Sequence, residues 1–161
     1  MSDAVARFRD HWSHLHPDQD LTGMEAIGRV RRLAALANNR TDDALTDTGV
    51  SRPEFEILAA LRRSSDGLRP RHLTRETISS GAATTKRLHR LEQAGLLTRT
   101  RIERDRRETL VRLTPEGETL ADTLFTRQLG IDTNLLAPLS QDERTQLATL
   151  LTRVLTPIDR T

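Results

Sequence analysis

No cysteine occurs anywhere in this chain of 161 residues. That excludes a disulfide framework, a thiolate nucleophile and a thiol redox switch, so any sensing must use other chemistry. Long apolar runs are missing as well: none approaches the roughly 20 residues that a membrane-spanning helix needs. The N-terminus lacks the charged-then-apolar pattern of a secretory signal, so a cytoplasmic protein without membrane contact is expected. Catalytic signatures are equally scarce. There is no glycine-rich phosphate loop, no nucleophile elbow and no carboxylate pair in a recognisable setting, so the chain does not read as an enzyme and no cofactor is expected. His11, His14 and His16 invite a metal reading, since the first two stand one helical turn apart. A metal site wants three or four convergent ligands, however, and His16 beside Pro17 should leave the helix. Exposed histidines are the expected outcome.

Lysine is nearly absent: of 25 basic residues only Lys86 is lysine. Arginine suits bidentate contacts to phosphate and guanine, yet a GC-rich genome produces the same bias, and composition alone decides little. Distribution decides more. Residues 62–112 hold 14 Lys and Arg against 6 Asp and Glu, a balance of +8, which leaves −6 on the rest of a chain whose net charge is +2. A basic third attached to an acidic scaffold suits a module that faces phosphates.

The spacing of apolar residues then lays out the elements. Val5, Phe8, Trp12 and Leu15 recur every three or four residues and predict a short helix over 3–16, stopped by Pro17. A longer helix over 22–45 should bury Met24, Ile27, Val30, Leu33, Leu36 and Ala37, and its length suggests a reach across a dimer. Ser51-Arg-Pro-Glu54 is a capping-box start with proline in the first turn, followed by Phe55, Leu58, Ala59 and Leu61 on the inward side. Residues 70–77 supply the first helix of a helix-turn-helix, 78–80 its turn and 81–94 its recognition helix. In that last helix Ala83, Leu88 and Leu91 should pack inward while Thr84, Thr85, Lys86 and His89 face out, and Gly95 should be a left-handed C-cap. Alternation in 96–102 and 109–113 predicts two strands flanking a charged turn with Arg104, Arg106 and Arg107. Thr114-Pro-Glu-Gly117 opens a helix to about 136, and the capping box Ser140-Gln-Asp-Glu143 opens a last one, ended by Pro157. The fold class expected is mainly α with a small β-wing: a winged helix-turn-helix, dimerising through its N- and C-terminal helices.

Four pieces, in order and spacing, carry a family likeness: Arg52-Pro-Glu-Phe-Glu-Ile-Leu58, Arg87-Leu-His-Arg-Leu-Glu-Gln-Ala-Gly-Leu-Leu97, Asp105-Arg-Arg107 and Leu113-Thr-Pro-Glu-Gly117. With them the chain resembles the multiple-antibiotic-resistance regulator (MarR) family of bacterial transcription factors. The resemblance implies a single domain in which 1–48 and 118–161 are dimerisation helices and 51–117 is the DNA-binding lobe. It further implies a homodimer on double-stranded DNA with a palindromic operator, the recognition helix in the major groove and the wing in the minor groove. Thr84, Thr85, Lys86, His89 and Arg90 of the helix, with Arg104, Asp105, Arg106 and Arg107 of the wing, would meet DNA. Asp105 would hold the wing tip by pairing with a neighbouring arginine. Trp12 ahead of a Pro-Asp-x-Asp-Leu element, then Ile27-Gly-Arg-Val-Arg-Arg-Leu33, also resembles the urate-responsive subgroup, which has an extra first helix. That subgroup implies a ligand site at Trp12, Glu56, Arg87 and Arg99, with Glu56 standing where the subgroup carries aspartate. The function expected is a ligand-responsive repressor released from its operator by a small anionic or aromatic effector.

Plainer readings accompany these. Trp12 reads equally as a core anchor of the first helix. Arg87 and Arg99 could be phosphate contacts or ion-pair partners of Glu56, and Glu56 an ordinary surface or hinge salt bridge. The alternative function is a non-specific or architectural DNA-binding protein that uses the same helix and wing without an effector.

Overall fold

Capping chemistry decides where most of the helices begin. In a computed structural model that describes residues 3–102 and 105–159, α1 (Ala4–Leu15) starts at Asp3, whose side chain accepts from the Ala6 N–H, and ends at His16. The second helix, α2, runs over Thr22–Leu45. At the start of α3 (Arg52–Arg62) the Ser51 N–H and hydroxyl both donate to the Glu54 carboxylate, at 2.8 and 2.6 Å. Next come α4 (Pro70–Glu76) and α5 (Gly81–Gln93), the latter capped by Ser80. A hairpin of β1 (Leu97–Ile102) and β2 (Asp105–Leu113) follows, then α6 (Pro115–Leu135), capped by Thr114, and α7 (Gln141–Leu155), opened by a second capping box at Ser140 and Glu143. Among the described residues no helix is long and apolar enough to cross a membrane.

Two units make up the chain, Met1–Ala44 and Leu45–Thr161. In the first, α1 packs on α2 where Gly28 leaves room: a Cβ at Gly28 would lie 2.9 Å from Val5 Cγ1. Arg29 secures that contact through Asp3 at 2.9 Å, and is itself held by Glu25 one turn earlier on α2 at 2.9 Å. Val5 is buried, but Phe8, Trp12 and Leu15 are exposed. The stripe Met24, Ile27, Val30, Leu33 and Leu36, expected to be the buried side of α2, is exposed along its whole length.

The second unit is built around α3. Six of its residues are buried, Glu54, Phe55, Ile57, Leu58, Ala60 and Leu61, so it is enclosed on more than the single face its periodicity suggested. Leu73 of α4, Leu88 and Leu91 of α5, Leu97 and Val111 of the hairpin, and Ala121 and Leu124 of α6 complete the core. Arg62 clamps α3 to α6 with two bonds to Asp122, at 2.9 and 3.0 Å. The strands pair antiparallel from Leu97↔Leu113 to Arg101↔Thr109, with a register shift between Arg101 and Ile102. The second strand therefore begins at Asp105 and not at 109. A backbone ladder needs no alternation of side-chain polarity, so the charged run can open the strand. Leu68 adds a bridge to Val111, with reciprocal bonds of 3.0 and 2.9 Å, and Gly67 (φ +81°) lies so close that a Cβ would meet Arg112 Cγ at 2.7 Å.

Candidate nucleic-acid interface

The helix-turn-helix is assembled around one buried threonine. Thr84 is 1 % exposed. Its hydroxyl donates to the Ser80 carbonyl (3.1 Å) and accepts from Thr74 Oγ1 of α4 (3.2 Å), so it joins the two helices. The outward position expected for Thr84 is thus corrected. Thr84, Leu88 and Leu91 follow the i, i+4, i+7 spacing of one helical face, and the hydroxyl satisfies itself locally. Ala83, expected to pack inward, is half-buried.

With that face turned in, α5 presents Gly81, Ala82, Thr85, Lys86, His89, Arg90 and Gln93 to solvent. Gly81, Ala82 and Gln93 were not among the sequence candidates, since their side chains carry no charge that would mark them. Arg90 is largely exposed but is also tied back, through Nη2 to the Gly49 carbonyl (3.1 Å) and Nη1 to Glu54 Oε1 (3.5 Å). Glu54, 3 % exposed, is accordingly the acid of α3 that meets the recognition helix. Sequence reasoning assigned it to capping alone, although a capping glutamate has a second oxygen to offer.

Glu56, the acid singled out for a ligand, instead takes Arg52 one turn away at 2.8 Å and pairs with neither Arg87 nor Arg99. Arg87 is half-buried and donates from Nη1 to Ser79 Oγ in the turn. Arg99 on β1 binds Glu92 of α5, with Nε at 2.9 Å. That bond depresses the Glu92 carboxyl below its ordinary range and raises the Arg99 guanidinium. Trp12, in the other unit, is 46 % exposed and stacks on His16 at 5.4 Å between ring centroids.

At the wing, Arg104 lies outside the described residues, as do the side chains of Asp105, Arg106 and Arg107, whose backbone opens β2. The base of the wing is well defined. Gly95 (φ +73°) ends α5 with the Leu96 N–H on the Leu91 carbonyl at 3.0 Å, as a left-handed cap does. Thr114 then joins this turn to α6: its hydroxyl donates to the Gly95 carbonyl (2.7 Å) and accepts from the Gly117 N–H (3.1 Å). Gly117 is obligatory because a Cβ there would collide with the Leu96 carbonyl. The Leu-Thr-x-x-Gly signature is therefore a packing requirement.

Among the described residues no three histidine, aspartate or glutamate side chains converge on a metal position. What the arrangement offers is a solvent-facing helix of small, hydroxyl and basic residues beside an arginine-bearing hairpin, which can dock on a phosphate-lined groove.

Comparison with known proteins agrees. Residues 48–108 match the MarR family model. The chain is 35% identical over 152 residues to the HTH-type transcriptional regulator PecS of Dickeya dadantii (strain 3937), covering 93% of this chain and 92% of that one. Among solved structures, the PcaV transcriptional regulator from Streptomyces coelicolor shares 26% identity at a TM-score of 0.66, covering 83% of this chain and 97% of that one. The S. aureus MepR–DNA complex matches at a TM-score of 0.73 with 22% identity, covering 80% and 94%, a likeness of fold.

Proposed function

The chain belongs to the MarR family of transcriptional regulators, and from that premise we propose that it is a ligand-responsive repressor that holds a palindromic operator as a homodimer in the cytoplasm. The observation that carries this reading is the outward face of α5, where Thr85, Lys86 and His89 stand free of the core while Thr84, Leu88 and Leu91 fix the helix from behind. In a dimer two such helices would enter successive major grooves, roughly 34–36 Å apart. The wing arginines Arg104, Arg106 and Arg107 would add minor-groove and phosphate contacts, and Asp105 would shape the tip.

A second copy is the natural cover for the apolar stripes of the terminal helices: Met24 to Leu36 on α2, Phe125 and Leu129 on α6, and Leu150, Val154 and Leu155 on α7. Exposed apolar stripes along helices mark interaction faces. In this reading 1–48 and 118–161 dimerise and 51–117 binds DNA.

We assign the effector to an anionic or aromatic small molecule that recruits Arg87 and Arg99, with Glu56 and Trp12 added by the resemblance to the urate-responsive subgroup. To engage these arginines a ligand must compete with Ser79 and Glu92. Doing so loosens the turn before α5 and the hairpin after it. DNA affinity then falls by no more than the ligand's preference for the altered form.

Fluorescence anisotropy of the full chain on labelled DNA from upstream of its own gene, beside a scrambled duplex at physiological salt, tests the proposal. A preference of roughly a hundredfold or more for the first is the result expected of a regulator. Equal, weak, salt-sensitive binding to both would favour an architectural DNA binder. Aromatic acids titrated into the complex should release the DNA and quench Trp12, the chain's one tryptophan.

A further inference from the structure

Ile78, in the turn between α4 and α5, is 93 % exposed and has φ +45°. Among the described residues it alone, apart from glycines, has a positive φ. A β-branched residue is sterically disfavoured in that region, where glycine or asparagine is the ordinary occupant. The shape of the turn is enforced around it. The Ile78 N–H donates to the Arg75 carbonyl (3.2 Å), the Ser79 N–H to the Thr74 carbonyl (3.0 Å), and Arg87 of α5 holds the Ser79 hydroxyl. A lone exposed apolar side chain needs no explanation. One held in a strained conformation, with almost no protein contact to offset the strain, two residues ahead of the Ser80 cap of a recognition helix, does call for one.

We propose that Ile78 is a DNA-contact residue whose aliphatic side chain packs on the apolar surface of the duplex, a thymine 5-methyl group or a deoxyribose face, when α5 docks. This rests on the DNA-binding reading above. Ile78, Gly81 and Ala82 are all exposed, so the leading edge of the motif offers apolar surface beside the exposed Ser80 cap, whereas Thr85, Lys86 and His89 further along carry the polar groups suited to phosphates and base edges. Apolar contact with the thymine methyl is an established form of groove readout. The left-handed turn projects the side chain clear of both helices, which a residue buried between them could not achieve.

The test uses the full chain and the upstream duplex that it prefers. Ile78→Gly relieves the backbone strain, so it should melt at the same temperature as the parent or higher, yet bind that duplex roughly tenfold more weakly. Ile78→Val should retain most of the affinity. Deoxyuridine placed at single thymine positions separates the two apolar partners: a methyl contact shows as one position where the substitution weakens the parent but not Ile78→Gly, a deoxyribose contact as none. Unchanged affinity of Ile78→Gly would overturn the assignment, and so would a loss of affinity that tracks a lower melting temperature. A parent chain that prefers no duplex would instead remove the DNA-binding reading, and Ile78's role with it.

Discussion

Arg99 of β1 reaches back past the Gly95 turn to Glu92 near the end of α5, with its Nε 2.9 Å from the carboxylate. The bond straps the hairpin to the recognition helix. It is also what chiefly holds the Glu92 carboxyl below its ordinary range. A carboxyl whose folded value is depressed contributes stability above its unfolded value and loses it as the pH falls through the folded value. Glu92→Gln should therefore lower the melting temperature at pH 7 by the equivalent of about 1 kcal/mol or less, since the pair is partly solvated. Melting curves recorded down to about pH 2 should converge for variant and parent; a gap that persists at low pH would assign the effect to packing.

Thr84→Val separates structure from recognition. The hydroxyl bridges Ser80 and Thr74 in a buried position, so its loss should cost about 1–2 kcal/mol by denaturant unfolding. Operator affinity of the folded fraction should change little. A large loss of affinity at unchanged stability would return Thr84 to the DNA surface.

Lys86 should behave in the opposite way. It is exposed on α5, and Lys86→Ala should leave unfolding unaltered while reducing the slope of log affinity against log salt by about one, the mark of one phosphate contact. An unchanged slope would show that Lys86 meets no phosphate.

Gly117→Ala puts a methyl group into the Leu96 carbonyl. Backbone cannot move aside as a side chain can, so a destabilisation of about 3 kcal/mol is expected by thermal or denaturant unfolding. Gly130→Ala, on the same helix with open space around the added carbon, is the matched control and should be neutral or mildly stabilising.

The helix starts were legible because their signals are local: Asp3, Ser51, Ser80, Thr114 and Ser140 each stand at the N-cap position, and Gly95 stands where the chain turns left-handed. Thr84 was misplaced because its polarity was weighed above its spacing, although Leu88 and Leu91 share its face. The burial of Ile57 and Glu54 could not be read from α3, since it depends on α5 and α6 closing over the helix from other directions. Neither could the Leu68 to Val111 bridge, a non-local pairing one residue long with no alternation to announce it. The apolar stripe of α2 was legible as a stripe, but periodicity marks an apolar face without saying whether it is buried, and here it is exposed. Among the ligand candidates, Glu56 and Arg99 chose partners nearer to hand, Arg52 and Glu92, and only the folded geometry distinguishes those from the longer reach.

At Gly95 and Leu96 three elements are fastened to two consecutive peptide units. The Thr114 hydroxyl and N–H take both carbonyls, at 2.7 and 3.1 Å, and the Leu96 N–H closes on Leu91. Helix α5, the base of the hairpin and the start of α6 consequently turn as one piece, like blades on a common pivot. The distance from helix to wing is then a fixed gauge. A change in that spacing has to break at least one of these three bonds first.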